Sequence, residues 1–279
     1  MAAVTTHEEA SGILRSVGGG EDDAIDIGAA ALALAAIDRP GVGIERYRQH
    51  LAQIAREVGE VAGDAAAGAA VRLGALNEVI AGRYGYAGDQ QSYDDLQNAN
   101  LMRVIDRRRG LPVALGIIWL SAAQSLGWAM AGLNFPGHFL LRIDGGGERL
   151  VFDPFAGGRT ADVAELRRLL KATAGDGAEL RPEHWAPSSV REVLLRLQNN
   201  IKLRLLNAGD IGRGLATVET MLLFAPGEAR LWYEAAMLNR KLGNLRAAIV
   251  AVEHWQDLAE GAARHEAAAL LQDLRARLN

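Results

Sequence analysis

A chain of 279 residues, 49% hydrophobic and 23% charged, is long enough to bury a full core, and at about 150 residues per domain it divides into about two domains. It contains no cysteine, which excludes disulfides, thiolate metal sites and every mechanism that uses a thiol of this chain. Its net charge of -4 provides no overall basic field to draw nucleic acid.

Residues 1–12 carry His7, Glu8 and Glu9 where a secretory signal needs a basic start and an apolar run, so none is expected, and cytoplasmic residence fits. Gly18-Gly19-Gly20 reads as a flexible break. Ile25 to Ile37 is apolar but carries Asp26 and falls short of the roughly 20 residues of a membrane span. It predicts a core helix capped by Asp22 or Asp23. Ile44, Tyr47, His50 or Leu51, Ile54, Val58 and Val61 recur at helical spacing, and residues 65–81 predict a third helix. Residues 82–100 form a long polar stretch of the kind that is functional or packed onto the surface. A short helix over Leu101–Arg108 ends at Gly110. Pro112 then opens a helix to about 126 that is apolar on nearly every face and therefore buried.

After Gly127 the pattern changes. Ala129–Leu133, Phe139–Ile143 and Leu150–Phe152 predict three short antiparallel strands, with a hairpin at Asp144-Gly-Gly-Gly147. Residues 160–174 return to helix, and Pro182 and Pro187 punctuate a linker. From Ser188 onward the chain reads as helix and repeats. The text around Gly209 and Gly214 recurs around Gly243 and Ala248 at an offset of 34 residues. This resembles tetratricopeptide helix pairs, capped by a last helix over 262–277. Val190, Val193, Leu194, Leu197, Ile201 and Leu205 form one stripe on the helix at 188–208. Leu195, Leu203 and Leu206 lie off it, so this helix is expected to pack on the first domain as well as on the helix at 210–225.

Leu76-Asn77-Glu78, Tyr84-Gly-Tyr-Ala-Gly88, Arg107-Arg-Arg-Gly-Leu-Pro112, Phe135-Pro-Gly-His-Phe139 and Phe152-Asp-Pro-Phe-Ala-Gly-Gly158 stand in order. Together they resemble the transglutaminase-like superfamily, and within it the bacterial SirB-like subgroup that carries C-terminal tetratricopeptide repeats. The resemblance implies an α+β, mostly helical protein. A transglutaminase-like (papain-like) domain with a small antiparallel sheet would occupy 1–180, and an all-α repeat domain 188–279. It also implies a Cys–His–Asp triad whose nucleophile opens the buried helix. His138 and Asp153 match the histidine and aspartate, and Pro112 stands at the nucleophile position. Ser121 lies ~13 Å further along the helix, too far to substitute. Tyr84, Tyr86, Asn98, Trp119, Phe135 and Phe155 are the candidate cleft residues for a peptide or protein.

Each feature has a plainer explanation. His138 can be a buried histidine satisfied by Asp153, with the two side chains facing across neighbouring strands at about 2.7–3.2 Å. Asp153 before Pro154 can cap a turn. None of His7, His50, His184, His254 or His265 forms a metal spacing with His138, so no metal or cofactor is expected. Gly145–Gly147 lacks the context of a phosphate loop. Arg107-Arg108-Arg109 beside Asp106 reads as a solvated face, with nucleic acid binding disfavoured. The expected function is a non-catalytic interaction or regulatory protein with a protein or peptide partner and no membrane association. The alternative is a hydrolase or acyl transferase using His138, Asp153 and an activated water.

Overall fold

Thr6 and Glu9 start the first helix by capping each other. The Thr6 N–H donates to Glu9 Oε2 (2.7 Å) and the Glu9 N–H to Thr6 Oγ1 (3.1 Å). The helix runs His7–Gly19, so the glycine run is largely helical and not the expected break. Packing explains it: a Cβ at Gly18 would overlap the Leu223 carbonyl oxygen, and glycine permits that approach. The computed structural model describes residues 5–63 and 67–278. It resolves into two compact units. One joins residues up to Ala10 with Glu21–Leu197; the other joins Ser11–Gly20 with residues from Gln198 onward.

In the first unit the helix Ile27–Ile37 is capped by Asp26, whose side chain accepts the Ala29 N–H at 2.9 Å. Asp22, an expected cap for that helix, serves a different one. Its carboxylate accepts the N–H groups of Val190 (2.7 Å) and Arg191 (3.0 Å) at the start of the helix Val190–Asn207. Asp22 lies in a 3-10 turn, Asp22–Ala24, one step before the extended Ile25 that leads to Asp26, and so it is out of reach of the nearer helix. The amphipathic helix Glu45–Ala62 buries Tyr47, Leu51, Ile54, Ala55 and Val58 and packs on the helix Pro112–Ser125. Every residue of that second helix from Val113 to Ala123 is buried, which makes it the centre of the core. It ends before Gly127, at φ +66°. The expected third helix is Ala69–Asn77, followed by a π-helical turn, Glu78–Arg83. Its expected start at 65 and 66 lies outside the described residues.

The long polar stretch is packed. Ala87–Gly88 pairs in parallel with Arg109–Gly110, and a 3-10 turn over Leu96–Ala99 follows. The Asp89 carboxylate gathers the Gln91 and Ser92 amides, the Ser92 hydroxyl and Arg107. The main sheet has five antiparallel strands in the order Arg159–Thr160, Glu148–Asp153, Leu141–Gly145, Met130–Leu133, Pro187–Ser188. Leu141 stands opposite Phe152, and Gly132 opposite both Leu141 and Ser188. The two outer strands are two residues each and carry no period-2 pattern, which is why three strands were expected and five are found. Leu133, Phe135, Leu140, Val151, Leu166 and Leu170 form a second apolar cluster beneath the helix Val163–Ala174. On the opposite edge, Val193 of the helix Val190–Asn207 lies against Gly132.

The second unit stacks the helices Ile211–Phe224, Ala229–Lys241, Leu245–Leu258 and Gly261–Leu278 beside the end of Val190–Asn207. The 34-residue repeat of the text is a repeat of the backbone. Gly209 and Gly243 both turn with positive φ (+77° and +78°). The Gly209 N–H donates to Leu206 O and the Gly243 N–H to Arg240 O. Asp210 and Asn244 likewise repeat their bonds, to Leu205 O and Asn239 O. Gly214 and Ala248 are buried where the sequence placed the close approach, and a Cβ at Gly214 would meet Leu206 Cδ2 at 2.5 Å. Leu203 needs no cover: it is 55% exposed. Replacing Ala248 by Leu should overpack its contact and cost about 1–3 kcal/mol, read as a lowered melting temperature by circular dichroism. No helix among the described residues is long and apolar enough to cross a membrane.

Candidate functional site

Pro112 opens the buried helix with Leu111 before it, whose N–H donates to Asn98 O at 2.9 Å. One turn further, Gly116 presents bare backbone. A Cβ there would overlap the Phe139 ring and stand 3.5 Å from Pro154 Cγ. The residues directly after His138 and Asp153 therefore both bear on the helix that Pro112 starts, one turn beyond it. Three motif segments far apart in the chain thus meet at one glycine.

His138 is half-buried. Its ring is edge-on to Phe135 at 6.4 Å, and its carbonyl accepts from Arg196 Nη2 at 2.7 Å. The Arg196 guanidinium lies 5.3 Å from the centre of the Phe139 ring. Burial pushes the Asp153 carboxyl up. The amides of Phe155 and Ala156, then the charges of His138 and Arg159, pull it back in part. The charge of His138 thus reaches Asp153, but no hydrogen bond joins the two side chains. Asp153 Oδ1 instead accepts the Phe155 N–H at 2.8 Å. The expected contact across the strands gives way to an Asx turn, because an aspartate reaches the amide two residues on without any rearrangement.

The six candidate cleft residues separate into three groups. Trp119 is fully buried and donates Nε1–H to Asn77 Oδ1 at 3.2 Å, while Asn77 Nδ2 donates to Gly158 O at 2.9 Å. Phe135 belongs to the apolar cluster under the sheet. Asn98 is buried, donates to Ser92 O (2.6 Å) and accepts from Arg107 Nη1 (2.9 Å). These three hold the fold and are closed to a ligand. Tyr84 and Tyr86 gather around His50 and Arg108. Only Phe155 is a half-open wall beside Asp153: its ring fills the place a Cβ of Gly88 would take, and Tyr93 stands edge-on to it at 5.9 Å.

Gly116, Arg196, Tyr93 and Gly88 were missed in the sequence. Gly88 stands in the quoted motif, and glycine in a buried helix marks a close approach; Arg196 and Tyr93 carry no such signal. Next to Phe155, an open polar recess of about 420 Å³ is lined by Gly88, Asp89, Gln90, Gln91, Ser92, Arg107 and Arg109. The Ser92 amide and hydroxyl, with Asn98 and Arg107, hold the Asp89 carboxyl well below the usual carboxylate range, so Arg107 faces a permanent negative charge. Among the described residues no three of His, Asp and Glu converge closely enough to hold a metal ion.

A family model described as the transglutaminase-like superfamily matches residues 45–199. A UPF0162 protein of Xylella fastidiosa (strain Temecula1) is 30% identical over 185 residues, covering 64% of this chain and 65% of that protein. The UPF0162 protein of Vibrio cholerae is 28% identical over 251 residues, 90% of this chain and 91% of that protein. F-box only protein 21 of Homo sapiens is 28% identical over 137 residues, 46% of this chain and 21% of that protein. The chain therefore spans just under two thirds of the Xylella relative and about a fifth of the F-box protein. The matched residues 45–199 take in the buried helix, His138 and Asp153, and on that match the chain belongs to the transglutaminase-like superfamily.

Proposed function

We propose that this chain is a non-catalytic recognition protein, with a regulatory role, built on a transglutaminase-like scaffold that lacks its nucleophile. Pro112 carries the reading. Covalent acyl transfer needs a nucleophilic atom at the helix start, and proline supplies none. The Asp153 carboxylate, engaged by the Phe155 amide, adds support, because it does not orient the His138 ring as a triad aspartate orients its base. The partner is a protein or peptide met at Phe155, Tyr93 and the polar recess beside them. The repeated helix hairpins of the second unit are read as tetratricopeptide units that offer a second binding surface, and the protein is placed in the cytoplasm. The test is turnover of a library of peptide amides and esters by the purified chain. The expected result is a rate equal to that of the His138→Ala variant. Turnover that disappears in both His138→Ala and Asp153→Asn would establish a water-activating hydrolase instead.

A further inference from the structure

The three consecutive arginines do not share one solvated face: Arg109 is exposed, while Arg107 and Arg108 are half-buried. Arg107 pairs with Asp89 (2.9 Å), and Arg109 donates to the Gly85 and Arg108 carbonyls (3.0 Å each). Arg108 turns another way. Its Nη1 donates to His50 Nε2 at 2.7 Å and to the Tyr86 hydroxyl, and its guanidinium lies 4.7 Å and 5.5 Å from the ring centres of Tyr86 and Tyr84. No carboxylate among the described residues lies within ion-pair distance of it. The acids nearby are engaged. Glu57 accepts from Gln53 (2.6 Å) and from the Tyr84 hydroxyl (2.7 Å), and Asp106 from Arg39 (2.7 Å) and the Tyr47 hydroxyl (3.0 Å). Arg108 Nε and Nη2 make no hydrogen bond and are not sealed from solvent, and the side chain as a whole is half-buried.

Two further observations point to a role for this side chain. Arg108 closes its helix in the left-handed conformation, φ +58° and ψ +25°, the one non-glycine residue with positive φ among those described. Glycine is the usual occupant of that place, and any other residue there carries a conformational cost. Burial and the charge of Arg108 also push the His50 imidazole down to about 4, so at neutral pH it is an uncharged acceptor that fixes the guanidinium without neutralising it.

We infer that the Nε–Nη2 edge of Arg108 is a binding site for the carboxylate of a ligand, held bidentate by the guanidinium that His50, Tyr86 and Tyr84 keep in place. The fork geometry of that edge matches the two oxygens of a carboxylate. Charge selects the carboxylate over a phosphate dianion: one unpaired cation with Glu57 and Asp106 close by suits a single negative charge. The site includes neither His138 nor Asp153, so it stands whether or not the recognition reading above holds.

The experiment is an NMR titration of the full chain at constant ionic strength, following the Arg108 Nε–H and the His50 ring. The probes are acetate, triglycine, triglycine amide and inorganic phosphate, with chloride as the reference salt. Saturable movement of the Arg108 signal by acetate and triglycine, with phosphate weaker, is the expected result. Triglycine tighter than acetate would assign the source as a chain terminus, and equal binding would assign a small free acid; triglycine amide should do nothing. A bound carboxylate should also raise the His50 pKa, because it offsets the neighbouring cation. Arg108→Lys keeps the charge and removes the fork, and should weaken acetate binding at least about fivefold, with circular dichroism showing the fold retained. An Arg108 signal that moves no more with acetate than with chloride would overturn the inference, as would equal acetate affinity in Arg108→Lys. If Arg108→Lys fails to fold, the wild-type titration alone decides.

Discussion

Replacing Trp119 by Ala should destabilise the first unit by about 3–5 kcal/mol, the range for removing a large buried aromatic side chain. Trp119 is fully buried in the central helix, so its removal leaves a cavity with no solvent to fill it. It also orphans Asn77 Oδ1, whose side chain ties the helix Ala69–Asn77 to the turn after Asp153 through Gly158 O. Gly158 has φ +82° and lies so close to the Asn77 side chain that a Cβ there would overlap it. The bridge between these segments is therefore tight. Trp119→Phe keeps most of the volume and loses the N–H donor, and should cost about 1–3 kcal/mol. Urea unfolding followed by circular dichroism separates the two variants. A cost below about 1 kcal/mol for Trp119→Ala would show that the helix does not organise this core.

Replacing Pro112 by Cys should create a reactive thiol. The position opens a helix of 14 residues, where the N-terminal dipole favours a thiolate, and Phe139, the residue after His138, packs on Gly116 one turn further along the same helix. A thiol pKa lowered by one unit from about 8.5 gives about tenfold more thiolate below pH 7. At pH 6.5, Pro112→Cys should therefore react with iodoacetamide about tenfold faster than Ser125→Cys. Ser125 is the more exposed of the two positions, so simple access predicts the opposite order. Equal or slower labelling at 112 would refute the placement of the nucleophile position there.

Where the physics is local, the sequence was a sound guide. The buried helix was legible from Pro112 and an apolar run with no polar face, and the central strands from short runs between glycine turns. The repeat at Gly209 and Gly243 reappears as the same hydrogen bonds at the same offset. The triad segments were legible as motifs, and the packing brings Phe139 and Pro154 from two of them to Gly116. The candidate cleft was less legible. An aromatic or amide side chain reads alike in a cleft and in a core, and the choice for Trp119, Phe135 and Asn98 depends on what packs over them.

By itself, the sequence determined that this chain supplies no thiol, that proline stands at the start of the central helix, and where most of the longer helices and the three central strands lie. These follow from composition and from periodicities of 3.6 and 2, which the backbone geometry imposes over a few residues at a time. Only the tertiary structure decided how polar groups are shared. Asp22 caps a helix 168 residues further on instead of the one beside it. Asp153 satisfies its own turn in preference to His138, and three adjacent arginines face three different environments. The reason is physical. A buried or half-buried polar group must find a partner, and several partners satisfy it equally well in the chain's own chemistry. The one it takes is set by which backbone and side chains the packed core brings within about 3 Å, a distance that leaves no trace in sequence spacing.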